Sequence, residues 1–180
     1  MRLIPKLSGA VLLVAVSVTL SLSSLAAAKQ VESMTAQYRS KGEAIALALA
    51  FSLSSNGKDT LARNVRTVRD LVNASKTIAG VSYIYIQDWE ASILAHTFEP
   101  SFPPEFTETN WLDSRLAPGE RVKVAESVRI DLPTGRIWAM DVAAPIRGGE
   151  LGVVHVGMDR LSIEQQVSAL PVCTYMALQN

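Results

Sequence analysis

Val81-Ser82-Tyr83-Ile84-Tyr85-Ile86-Gln87 is the stretch where the hydrophobic pattern of this 180-residue chain changes period. Before Gly80 the apolar residues recur at helical spacing. From Val81 they are dense in β-branched and aromatic side chains, which suit a pleated, half-buried surface. Tyr83 and Tyr85 share one face of the predicted strand by its period of two. Asp88 to Ala91 form a turn, with Trp89-Glu90 where a glycine-containing turn is expected, which predicts an irregular hairpin. Ser92 to Phe98 form its second strand.

The same period returns further on. Val122, Val124, Glu126, Val128 and Ile130 alternate with Lys123, Ala125, Ser127, Arg129 and Asp131. Leu132-Pro133-Thr134-Gly135 makes a tight turn, Arg136 to Pro145 is a strand, Arg147-Gly148-Gly149-Glu150 turns again, and Leu151 to Met158 closes the sheet. Between the two groups of strands runs a Pro-rich loop, Pro100 to about Gly119, which holds Phe102, Phe106 and Trp111. Loops of this length are often functional lids.

Upstream, Lys29 to about Leu53 reads as a helix through Val31, Met34, Tyr38, Ile45, Leu49 and Ser52, with Gly42 as a weak spot. Ser54-Ser55-Asn56-Gly57 ends it. Asp59 or Thr60 can cap a second helix with Leu61, Val65, Val68, Leu71 and Val72 on its apolar face. Arg63, Arg66 and Arg69 lie on its wet face, as a solvated stripe. Asp159 can cap a last helix from Arg160 to about Leu170. The sum is an α+β fold: a long helix leading to a five-stranded antiparallel sheet, with helices on one face and the loop over part of the other.

The N-terminus adds a membrane signal. Arg2 and Lys6 precede a run from Leu7 to Ala28 without a charged residue, closed by Lys29. As a helix at about 1.5 Å per residue it matches a hydrocarbon core of about 30 Å. Basic residues ahead of it favour an orientation with the N-terminus in the cytoplasm. A retained signal anchor is the first reading. A cleaved signal peptide is the second, because Ala26 and Ala28 offer a small-x-small site and five hydroxyl residues dilute the run's second half. Either exports the rest of the chain. The segments are a cytoplasmic stub 1–6, the membrane segment 7–28, an extracytoplasmic domain 29–170 and a short tail 171–180.

Composition narrows the function classes. Lys+Arg and Asp+Glu are equal at 17 each, which leaves no basic footprint for nucleic acid. The single cysteine, Cys173, excludes an intrachain disulfide framework and a cysteine metal site. There is no phosphate-binding glycine loop, no G-x-S-x-G elbow and no H-E-x-x-H helix. No catalytic residue, metal or cofactor is expected. His96 and His155 fall on separate strands. A metal site using both with a carboxylate such as Asp141 has no support from spacing, and packing is the simpler role for His155. The aromatic set Tyr83, Tyr85, Trp111 and Trp138, with His96 beside it, is the candidate wall of a small-molecule pocket, and Arg147 or Arg129 the candidate anion holder. An ordinary core wall is the competing reading.

Several segments carry a resemblance. Tyr85-Ile86-Gln87-Asp88, Ile93-Leu94-Ala95-His96-Thr97-Phe98 and Pro103-Pro104-Glu105-Phe106 resemble the extracytoplasmic Cache (PAS-like) sensors of bacterial signalling receptors. So do Ala143-Ala144-Pro145-Ile146, Gly148-Gly149-Glu150-Leu151-Gly152 and Val154-His155-Val156-Gly157-Met158. The resemblance covers roughly Lys29 to Leu170. It implies a signal-input domain on the cytoplasmic membrane that binds a small extracytoplasmic ligand. That domain would relay binding by helix displacement, within a homodimer formed through Val31, Met34, Tyr38 and Ile45. The expected output is a histidine kinase or other HAMP-linked module. Leu170 to Asn180 is too short to span a bilayer, so no second membrane helix or output module is expected in this sequence. An exported structural or interaction module that modulates a partner receptor is the alternative; an adjacent reading frame beginning with a transmembrane helix and HAMP linker would point instead to a broken receptor gene.

Overall fold

The computed structural model describes residues 4–55, 65–104, 106, 120–132 and 135–161, with side chains from residue 16 onward apart from residue 27. Its elements are helix α1 (Ile4–Ser54), helix α2 (Val65–Lys76) and strands β1 (Val81–Asp88), β2 (Ile93–His96), β3 (Lys123–Leu132), β4 (Gly135–Ile146) and β5 (Gly152–Asp159). A short 3-10 turn, Arg147–Gly149, joins the last two. The five strands form one antiparallel sheet in the order β2-β1-β5-β4-β3. The expected α+β order, hairpin and three-stranded meander are all present. Local periodicity does not show that β5 pairs with β1, which places the meander's last strand at the centre of the sheet.

The chain divides into two units. The first is Met1–Ala36 with Ser162–Asn180, described here through the first part of α1. Val16, Val18, Leu20, Leu22 and Leu25 are exposed on it. At 3.6 residues per turn these positions point in several directions, so the helix is apolar around much of its circumference. Among the described residues no helix is long and apolar enough to cross a membrane. The first part of the Leu7–Ala28 run lies outside the described side chains, as does most of the helix expected over Arg160–Leu170.

The second unit, Gln37–Leu161, holds the sheet between two apolar layers. On one face Ala46, Leu49, Ala50 and Leu53 of α1 and Val68 and Val72 of α2 pack on Ile84, Ile86, Met140, Val142, Val154, Val156 and Met158. Tyr38 and Ile45 pack against this core too, so two of the four residues expected at a dimer face are committed to the chain's own sheet. Gly42 has a positive function rather than being a weak spot. A Cβ there would stand 2.8 Å from Cγ of Met158 and 3.0 Å from Cγ2 of Val142, so its bare backbone sets how closely α1 approaches the sheet.

Two departures from simple alternation have physical causes. Between Ala125 and Val128 strand β3 carries one extra residue relative to β4. This bulge switches faces: Val122 and Val124 join the helix-side core, whereas Val128 and Ile130 join the other layer. The β1–β2 turn closes without glycine. Oδ1 of Asp88 accepts from the backbone N–H of Glu90 at 2.9 Å and of Ser92 at 2.8 Å. Ala91 takes the left-handed conformation, φ 63°, and the register slips between Ile86 and Gln87. The expected irregular hairpin is therefore present, held by an aspartate turn.

Replacing Gly42 with leucine forces α1 away from Met158 and Val142. Overpacking of this kind costs about 1–3 kcal/mol, which urea denaturation should show as a lower midpoint with an unchanged slope.

Candidate functional site

The face of the sheet away from the helices is built from aromatic rings. Tyr83 and Tyr85 point to it together, as their spacing predicts, and are buried with Phe98 and Phe106; Phe102 packs at its edge. Tyr83 lies against Phe98 at 5.1 Å between centroids and meets Phe106 edge-on at 5.2 Å. Tyr85 meets Phe102 edge-on at 5.2 Å. Such pairs add about 0.5–1.5 kcal/mol each beyond area burial.

Under the rings lies a polar cluster. Three strands align Tyr83, Gly157 and Asp141 in one row. A Cβ on Gly157 would fall 2.3 Å from the Tyr83 ring, so only glycine lets this phenol lie flat over β5. Its hydroxyl thereby reaches Oδ2 of Asp141, donating a hydrogen bond of 2.7 Å. Oδ1 of the same carboxylate is 3.0 Å from Nδ1 of His155. Asp141 is 0% exposed and His155 2%. A carboxylate offers only lone pairs, so the proton of this contact sits on Nδ1. Tyr85 stacks on the His155 ring at 4.2 Å with 6° between planes. Nε2 of His155 and Nδ1 of His96 are buried with no hydrogen-bond partner among the described residues. A buried polar atom left so costs about 1–3 kcal/mol.

Burial, and then the Asp141 charge, push the Tyr83 hydroxyl well above the ordinary tyrosine range. The same two causes raise Tyr85. Both phenols therefore stay neutral at physiological pH, and Tyr83 remains a donor.

His96 pairs with Tyr85 across β1 and β2 and lies 5.6 Å from Phe102, so three of the expected pocket residues, Tyr83, Tyr85 and His96, come together. Trp138 does not join them. It has the strand parity of Met140, which faces the helices, and donates from Nε1 to Oγ of Ser127. Arg129 and Arg160 lie over its ring at 4.8 and 5.3 Å. Arg129 is thus on the wrong face to hold an anion among the tyrosines. Arg147 is exposed in the turn after β4, at φ 50°, off the aromatic layer. Trp111 lies outside the described residues. The described residues contain no group of three or more potential metal ligands. A separate cavity of about 490 Å³ is lined by Glu99, Pro100, Ser101, Pro103, Pro104, Asp131 and Leu132, and includes none of the buried polar residues.

Sequence reasoning missed the central roles of Asp141, His155 and Gly157. The available signal was one carboxylate and one imidazole, each set inside an otherwise apolar strand. Polar residues at fully buried strand positions need a partner, and that partner lies on another strand.

Gly157→Ala collides with the Tyr83 ring and should cost about 3 kcal/mol, measured by chemical denaturation. Tyr83→Phe should cost about 1–3 kcal/mol through the stranded Asp141 oxygen. The pH dependence has a definite sign. Below the ordinary tyrosine value of 10.0, Tyr83 is protonated in both folded and unfolded chains and its contribution is constant. Above it the unfolded phenol ionises first, so stability falls as pH rises, and Tyr83→Phe should flatten the fall in a denaturation series from neutral to alkaline pH.

The comparisons agree with this architecture. The ligand-binding domain of the Campylobacter jejuni chemoreceptor Tlp3, solved with L-valine, superposes with a TM-score of 0.64 at 11% identity, over 86% of this chain and 65% of that one. The periplasmic sensory domain of C. jejuni Tlp1 gives 0.55 at 18% identity, over 76% and 59%. The ligand-binding domain of the Pseudomonas aeruginosa amino acid chemoreceptor PctB, solved with L-Arg, gives 0.54 at 15% identity, over 76% and 56%. The chain thus spans less than two thirds of the length of these structures, and the likeness is one of fold. No match was found among curated protein sequences. Residues 33–172, more than half of the chain, match the family described as single Cache domain 3, and the chain belongs to that family.

Proposed function

We propose that this protein is an extracytoplasmic signal-input domain, which binds a small organic molecule on the aromatic face of its sheet and acts by binding rather than by catalysis. The observation that carries the reading is the buried Tyr83–Asp141–His155 cluster, with a ring nitrogen that has no hydrogen-bond partner among the described residues, under a layer of aromatic side chains on the face away from α1 and α2. A core built only for stability gains little from a carboxylate at zero exposure. The structural neighbours with bound amino acids favour a ligand of similar size. Tyr83, Tyr85 and His96, with Phe98 and Phe102, line the proposed site.

The sensor domain in this reading runs from about Lys29 to Leu170 and sits outside the cytoplasmic membrane, anchored or exported by the Leu7–Ala28 run. Ligand binding shifts the sheet against α1, whose Gly42 contact makes that interface close and sensitive. The signal then passes along α1 to an output module of the histidine kinase or chemoreceptor type. α1 pairs with its copy in a parallel homodimer. Because Tyr38 and Ile45 face the chain's own core, the dimer ridge in this domain is Ser40, Ala44, Ala48 and Phe51, all exposed, Phe51 at 80%.

Tyr85→Ala should abolish the thermal stabilisation that a bound ligand confers, while Trp138→Ala on the opposite face should leave it intact. In a Cys173→Ser background, Ala44→Cys should form a disulfide-linked dimer and Ile45→Cys should not. Equal cross-linking at both positions would remove this dimer geometry.

A further inference from the structure

The cluster under the aromatic layer has a sign. Nδ1 of His155 carries the proton given to Asp141, so in the neutral ring Nε2 holds a lone pair. That atom is an acceptor, it is buried, and nothing among the described residues donates to it. The carboxylate beside it has two side-chain partners among the described residues, a phenol and the imidazole. No lysine or arginine pairs with it among the described residues. Lys123 faces this side from the edge strand, opposite Ala143, and has contacts of its own. The rings of Tyr83, Tyr85, Phe98, Phe102 and Phe106 present faces of negative potential. With the ring neutral, a lone pair, a carboxylate without a lysine or arginine partner among the described residues and a set of π faces all repel an anion and all attract a cation that carries N–H donors.

We infer that the ligand of this face is a protonated amine, whose ammonium donates to Nε2 of His155 and offsets the charge of Asp141. The inference rests on the sensor reading above and adds the chemical class. Tyr85 lies on the His155 ring and carries Phe102 and Phe106 against it, so entry displaces this aromatic layer. The carboxylate then acts on the ammonium through the imidazole, which Asp141 orients, as a second residue behind the first contact.

Matched pairs test the class. The full chain is titrated by thermal shift and calorimetry with L-valine against 3-methyl-2-oxobutanoate, 2-phenylethylamine against 3-phenylpropionate, and 4-aminobutyrate against glutarate. The expected result is that at least one amine binds and its partner without the amine is weaker by roughly 10- to 100-fold. His155→Asn keeps a donor for Asp141 but loses the Nε2 acceptor and should lose amine binding; because it also loses the Tyr85 stack, its binding and melting temperature are read against His155→Gln, which loses the same stack. His155→Gln, whose amide oxygen reaches toward the Nε2 position, should retain part of it. Nitrogen-15 spectra of the free protein should show His155 as the neutral Nδ1–H tautomer, a readout independent of any ligand. A ring with a proton on Nε2, whether as the other tautomer or as the imidazolium, or equal or tighter binding of the amine-free partners, overturns the amine inference while the sensor reading stands. Failure of every probe, amine or not, overturns the sensor reading for this face and the inference with it.

Discussion

The phenol of Tyr83, lying across the bare backbone of Gly157 to reach Asp141, ties β1 to β5 and β4, two strands distant from it in sequence. Burial of both faces makes this necessary. Helices α1 and α2 take up one side of the sheet, and aromatic side chains close the other. A carboxylate at the centre of the sheet has no route to water, so its hydrogen bonds must come from within. Tyr83 satisfies one oxygen and His155 the other. The glycine is the geometric condition for the first, and the stack of Tyr85 on His155 holds the ring that provides the second.

That constraint explains why the two faces differ in character. The helix side is aliphatic and closely packed, with Gly42 bringing α1 onto Met158 and Val142. Such an interface passes a displacement of the sheet on to the helix. The other side is aromatic, contains two histidine nitrogens without a hydrogen-bond partner among the described residues, and is bounded by the segment that carries Phe98, Phe102 and Phe106. Rings can rotate or lift as units, and the polar atoms beneath them gain when a partner arrives. Close packing on one face and polar atoms without partners among the described residues on the other give the two sides of the sheet different chemistry.

Much of the fold was legible because the relevant patterns are local. The period of the Val81–Gln87 run, the helical spacing from Val31 to Leu49 and the turn residues around Gly135 and Gly148 each report their own backbone. The pairing of Tyr83 with Tyr85 on one face follows from the strand period alone. Trp138 shows the limit. Its parity with Met140 was readable, but which side of the sheet that parity denotes depends on cross-strand register. In β3 the bulge before Val128 even reverses the faces partway along the strand.

By itself, then, the sequence determined the element order, the α+β class, the shared face of the two tyrosines and the likeness to Cache sensors, since each rests on short-range spacing or on contiguous motifs. Only the tertiary structure decided that β5 lies between β1 and β4, and hence that Asp141, His155 and Gly157 meet Tyr83 and Tyr85. The contacts to Tyr83 and Tyr85 join residues tens of positions apart, and no local pattern encodes that β5 becomes the neighbour of β1.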